Sequence, residues 1–339
     1  AWCWHKLGNC GGGHVAEHTY SEAACCVKAL ETDSACARFW HSLGNCGGGN
    51  IAGKVYSQAR CYRKALEIDP DDAECWFSFG MSGGGRFLGH FYSKPICLMQ
   101  ALEIDSTDAR FWSKLGACGG GSIAGRVYAE AACYSRALEI DPTDGLCWYN
   151  LGIAGGATVA GQEYTKAACY SKALDINPTD AGCWCNFGVC GGGSVGGTMY
   201  SKAACYLKAL EIDPTDGDAW FNAGVAGGGT VAGEEYSKSA CYVKALEIDP
   251  VDGDAWYNLG ICGGGNVAGL AYSEAACYVK ALEIDPTNSW CWYNLGICGG
   301  GKVTGQVHSA ADCYVNVFEL DPTNVAACVC AAFRSATLN

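Results

Sequence analysis

Tryptophan recurs as Trp4, Trp40, Trp76, Trp112, Trp148, Trp184, Trp220, Trp256 and Trp292, a spacing of 36 residues kept without one insertion or deletion. A fixed period of that size is the signature of a repeat architecture, in which each copy is a supersecondary unit unable to bury its apolar face alone. Nine copies fill residues 1–324, starting near 1, 37, 73, 109, 145, 181, 217, 253 and 289, and leave 325–339 as a C-terminal capping helix and tail. The two domains that 339 residues would ordinarily suggest give way to a row of equal repeats. Function is then to be sought along a surface.

Counting from each Trp as position 0, the eighth repeat shows the local pattern. Trp256, Leu259 and Gly260 fall at i, i+3 and i+4, and Ala276, Tyr278, Ala281 and Leu282 keep a helical period among good helix formers. Pro286 stops the second helix after Ile284-Asp285, and Thr287 or Asn288 caps the helix that follows. Ser273 is a good N-cap, and Tyr272 stands where it can pack on Cys277 as a hydrophobic staple. The spacing predicts helix A from about −3 to +6 and helix B from about +18 to +28. Helices this short are marginal alone, so packing must hold them.

Composition excludes several function classes. Half the residues are apolar, 17% are charged, and the net charge is −13 with no run of basic residues, which argues against binding a nucleic-acid backbone. Charge is uneven: residues 1–144 hold 13 basic and 16 acidic side chains, against 9 and 19 in residues 145–339. No stretch of 18 uncharged apolar residues occurs, and Ala1-Trp2-Cys3-Trp4-His5 has no charged region leading into an apolar one, so neither a membrane span nor an unprocessed signal peptide is expected.

The strings W-Y-N-L-G and Y-x-K-A-L-E-I-D-P resemble the tetratricopeptide repeat, whose helix-turn-helix unit carries W-x2-L-G-x2-Y, then A-x3-F, then a closing Pro. The departure lies in the middle, where Gly-Gly-Gly and two extra residues enlarge the usual 34-residue copy. SEL1-like repeats also carry glycines between their helices and reach this length, but lack L-E-I-D-P. The resemblance implies an all-α, right-handed α-solenoid with a C-terminal half-repeat helix, acting as a non-catalytic scaffold for other protein chains. It further implies that helix A lines a concave face, with positions +1, +2 and +5 contacting peptide ligands. In the last five repeats +2 is Asn150, Asn186, Asn222, Asn258 and Asn294, and +5 is Ile153, Val189, Val225, Ile261 and Ile297. In the first four, +2 is Lys6, Ser42, Ser78 and Lys114, and +5 is Asn9, Asn45, Met81 and Ala117. Two readings stand: an amide ladder beside an apolar stripe that holds an extended chain, or ordinary helix residues whose aliphatics pack under the glycine loop.

The glycine runs invite a phosphate-loop reading that fails, because no strand precedes them and no Gly-Lys-Ser/Thr follows; Gly191 to Gly197 matches a dinucleotide fingerprint only by chance. They end helix A and let backbones approach closely, while Gly at +13, from Gly53 to Gly305, supplies a turn of positive φ. Nine such loops are expected to form a ridge with little side-chain bulk.

Cysteine occupies +21 in every repeat and +6 in six. The pairs Cys10-Cys25, Cys46-Cys61, Cys118-Cys133, Cys190-Cys205, Cys262-Cys277 and Cys298-Cys313 would staple helix A to helix B as disulfides, about 3 kcal/mol each. Yet Ser82, Ala154 and Ala226 replace the +6 cysteine while Cys97, Cys169 and Cys241 remain, as buried thiols packing like small hydrophobes would allow. Free thiols would fit a cytoplasmic or organellar setting, disulfides an extracellular one. With no C-x-x-C, and with His14 and His18 beside Cys10 in a glycine loop, no metal, cofactor or catalytic set is expected. At the ends, Trp2, Trp4, Val329 and Phe333 offer apolar surfaces of different kinds, and head-to-tail contact through them would give an open homopolymer, the alternative to a scaffold in a larger complex.

Overall fold

The computed structural model describes residues 1–321. Helices alternate in pairs with two-stranded antiparallel hairpins throughout them. In the eighth repeat helix A is Gly253–Ile261, the strands are Gly264–Val267 and Leu270–Ser273, and helix B is Glu274–Ile284. Helix B has the expected bounds, and helix A stops one residue short of them. The repeats gather into two compact units divided at Ile176 and Asn177. The expected C-terminal helix over 325–339 lies outside the described residues.

Each boundary has a local cause. Ser273 Oγ accepts from the Ala276 N–H at 3.3 Å and Asn288 Oδ1 from the Cys291 N–H at 3.1 Å, satisfying donors that a helix start leaves bare. Between the helices, Asp285 Oδ1 accepts from both the backbone N–H and the hydroxyl of Thr287, at 2.9 and 2.6 Å, an Asx turn that redirects the chain after Pro286.

The helix connection is more ordered than a loop. Val267 pairs with Leu270 across a two-residue turn in which Ala268 and Gly269 have φ of 51° and 83°. Two positive φ values in succession define the type I′ turn whose twist suits a hairpin. Glycine takes this region freely and Ala pays about 1 kcal/mol for it; the sixth repeat uses Gly196-Gly197 instead. Gly264 stands where the hairpin leaves helix A, and a Cβ there would lie 2.2 Å from the Tyr272 carbonyl oxygen.

Side chains then lock the repeat to its neighbours. Trp256 is 3% exposed, its Nε1 donates to the Pro250 carbonyl at 2.9 Å, and its ring meets Tyr272 edge to face at 4.7 Å. The Tyr272 ring thus goes to the Trp, tying the hairpin to helix A. Gly260 faces the Tyr278 ring so closely that a Cβ would sit 2.6 Å from it, which brings helices A and B together. Helix B of each repeat also packs on helix A of the next repeat within the same compact unit, and in most repeats on its first strand too, as Lys238–Ile248 does on Gly253–Ile261 and Gly264–Val267. Its buried face is Cys277, Tyr278, Ala281 and Leu282 in the eighth repeat. Burying a large aliphatic side chain contributes about 1.5–3 kcal/mol, and this is how helices of 9 and 11 residues persist. Each compact unit is a stack of helix pairs of the α-solenoid kind, and among the described residues every pair carries a small hairpin.

Candidate interaction surface

Positions −2, +2 and +5 are four and three residues apart, so they fall on one face of helix A. In residues 177–321 that face turns to solvent. Asn186, Asn222, Asn258 and Asn294 are half-buried. Val189, Val225, Ile261 and Ile297 are exposed at 60, 46, 53 and 54%, instead of packing under the hairpin. The Asn222 and Asn258 amides donate to the carbonyls of Asp218 and Asp254, at 2.9 and 2.8 Å, which spends donor capacity locally and leaves acceptor capacity on the side-chain carbonyl. In residues 1–176 the fifth repeat presents the same pair, half-buried Asn150 and exposed Ile153.

Position −2 adds charge that sequence reasoning did not single out. Asp218 and Asp254 stand there, and a cavity of about 450 Å³ beside them is lined by both, by Asp249, Asp252 and Asp285, and by the aliphatic Ile284. No basic side chain is among the lining residues. Burial holds the Asp252 carboxyl above the ordinary carboxylate range. The earlier repeats differ. Arg110 at −2 grips Glu74 with two bonds of 3.3 and 2.7 Å and Asp108 at 2.6 Å, and lies over the rings of Phe77 and Phe111. There the face is closed by its own ion pairs.

In the six cysteine pairs the +21 residue is buried, and the +6 residue ranges from half-buried Cys46, Cys118 and Cys262 to exposed Cys10, Cys190 and Cys298. Trp2 is half exposed and packs on His5 and Phe39, and Trp4 packs on Tyr20. Val329 and Phe333 lie outside the described residues. His14 stands on the first hairpin opposite Thr19, whose Oγ1 is 2.9 Å from its ring, and His18 is on the other strand. Among the described residues no helix is long and apolar enough to cross a membrane.

The tetratricopeptide-repeat family model matches residues 205–226 and 277–298. Both spans run from helix B through the Asp-Pro turn into the next helix A, the part of the repeat free of the glycine insertion. No curated protein matches. Among solved structures, a protective antigen of uropathogenic Escherichia coli with an SLR fold aligns over 99% of this chain and 71% of its own, at 18% identity and a TM-score of 0.55. Yeast Tom70 aligns over 94% of this chain and 58% of its own, at 11% identity and a TM-score of 0.37. The helix pairs, the matched Asp-Pro turns and the likeness to an SLR fold support a helical repeat protein with a tetratricopeptide- and SEL1-like fold.

Proposed function

We propose that residues 177–321 hold an extended segment of a partner protein along helix A, with apolar side chains on the +5 column and a basic side chain directed to the aspartate cavity. The fold is of the kind typical of protein–protein interaction scaffolds, and such folds are generally non-enzymatic. The observation that carries the finer reading is the repeated, solvent-exposed Val189, Val225, Ile261 and Ile297, a column of apolar side chains beside half-buried amides. Apolar side chains aligned along one face of successive helices are an unusual thing to leave in water without a partner. The Asn oxygens suit the N–H groups of an extended chain, and five carboxylates without a counter-ion select for Lys or Arg.

Panning a displayed peptide library on the full chain tests this. Selected peptides should combine aliphatic residues with Lys or Arg, and a Val225→Lys/Ile261→Lys variant should bind them at least tenfold more weakly while keeping its circular dichroism. Equal binding by that folded variant, or selection of acidic peptides, would contradict the reading.

A further inference from the structure

At the junction of the second and third repeats the pattern departs from itself in a way that makes a second, chemically different pocket. Position +20 is Ala in the first and in the fourth to eighth repeats, but Arg60 here. Position +23 is aliphatic, Met or Ser in the other eight repeats, but Arg63 here. Position +10 of the following repeat is Arg86, the only arginine in that column. The fold brings the three together: with Ser57, Phe79 and the Gly84-Gly85 backbone they line a cavity of about 330 Å³ that has no acidic residue in its lining. In a chain of net charge −13 this is a local inversion of sign.

The hydrogen bonding of this junction is incomplete on the donor side. Arg63 Nη1 donates to the Arg86 carbonyl at 3.2 Å, but its Nε is buried without a hydrogen-bond partner, 3.9 Å from Glu67 Oε1. Lys64 takes the other oxygen of Glu67. Arg60 lies over the Tyr56 ring, 5.6 Å from its centroid. Ser57, which precedes helix B (Gln58–Ile68) without the capping bond that Ser21, Ser201, Ser237 and Ser273 make, is among the residues lining the cavity, as are Ala59 and Arg60 of the first turn. Arg63 is one of the residues lining the cavity, and an anion there would add an acceptor for its guanidinium.

We propose that this cavity binds a phosphoryl group. Three guanidinium groups, a hydroxyl and a helix start offer more donors than the two oxygens of a carboxylate use, and they suit a tetrahedral dianion. The volume exceeds that of the group itself, leaving space for part of its carrier, either a small phosphorylated molecule or a phosphorylated side chain. The site is separate from the helix A face described above and uses residues of the other compact unit.

Calorimetric titration of the full chain, at ionic strength fixed with sodium chloride, tests it with inorganic phosphate, a phosphoserine peptide and the same peptide unphosphorylated. Both phosphate-bearing probes are expected to bind and the unphosphorylated peptide not to. Equal affinity for the two would identify the group as the whole ligand, and tighter binding of the peptide would identify a modified side chain as the source. Arg60→Ala, Arg63→Val and Arg86→Asn each install a residue that other repeats carry at that position. Each should weaken binding about tenfold or more, and the triple variant should abolish it. Affinity for the phosphoserine peptide should rise between pH 5 and 7 as its phosphoryl group takes its second charge near pH 6. No binding of either phosphate-bearing probe, or unchanged binding in the three single variants, would overturn the assignment. The Val225→Lys/Ile261→Lys variant should bind phosphate like the unaltered chain, so failure of one site is distinguishable from failure of the other.

Discussion

Substituting Ala for Gly264 is expected to cost about 3 kcal/mol, while the same change at the neighbouring Gly263 should cost only about 1 kcal/mol. Both glycines have φ near +90°, at 91° and 93°, so the conformational penalty is shared. What differs is space. A Cβ on Gly263 meets nothing within 4 Å, whereas one on Gly264 would sit 2.2 Å from the Tyr272 carbonyl oxygen and 2.9 Å from the Ser273 carbonyl carbon. Those are backbone atoms of the opposing strand, so relief requires opening the hairpin, and with it the Tyr272 ring that packs on Trp256. Hydrogen exchange over 264–273 in the two variants, together with their denaturation midpoints, checks the difference. Equal losses would show that left-handed backbone alone, and not close approach, explains the glycine.

The second large effect is alkaline. The +21 thiols are wholly buried, and burial pushes Cys61, Cys133, Cys169, Cys205, Cys241 and Cys313 up to about 11 and Cys97 and Cys277 up to about 12. An unfolded thiol ionises near pH 8.5, so the fold favours the neutral form. That contribution is fully present below about pH 8.5 and is lost as pH rises towards 11–12, because the unfolded chain gives up its thiol protons first. A rise of two units corresponds to roughly 3 kcal/mol per thiol, so a few such groups exceed the whole stability of an ordinary domain. Helicity is therefore expected to collapse between about pH 9 and 11, and Cys→Ala at several +21 positions should move that transition upward. Alkylation at neutral pH should reach the exposed Cys3, Cys10, Cys190 and Cys298 first, and all 25 cysteines only in denaturant. Few reactive thiols in non-reducing denaturant would instead support the stapled, disulfide-bonded form.

Much of this architecture is legible in the residues because its determinants are local. The Trp period sets the repeat, Ser273 and Asn288 mark helix starts, and Pro286 marks a stop, each acting within a few residues of itself. The hairpin was not legible in the same way. Strands of four residues beginning Gly-Gly have too few side chains to show alternation, and the turn uses Ala-Gly where Asn-Gly is the usual signal. The Val267 before that turn and the Tyr272 after it were the available clue. On the surface, +2 and +5 follow from the family resemblance, since a face of one helix is fixed by helical geometry. The aspartate cavity and the arginine cavity depend on residues from successive repeats, Arg60 and Arg86 being 26 apart, and only the stacking of one repeat on the next brings them together.

That stacking is the central claim, and arrays of one, two, three and four consecutive repeats cut from residues 177–321 test it most directly. Helicity measured by circular dichroism during denaturation should be nearly absent for a single repeat, and the midpoint should climb with each repeat added, because each new neighbour covers another helix B. A single repeat that folds by itself, with the midpoint of the four-repeat array, would contradict it.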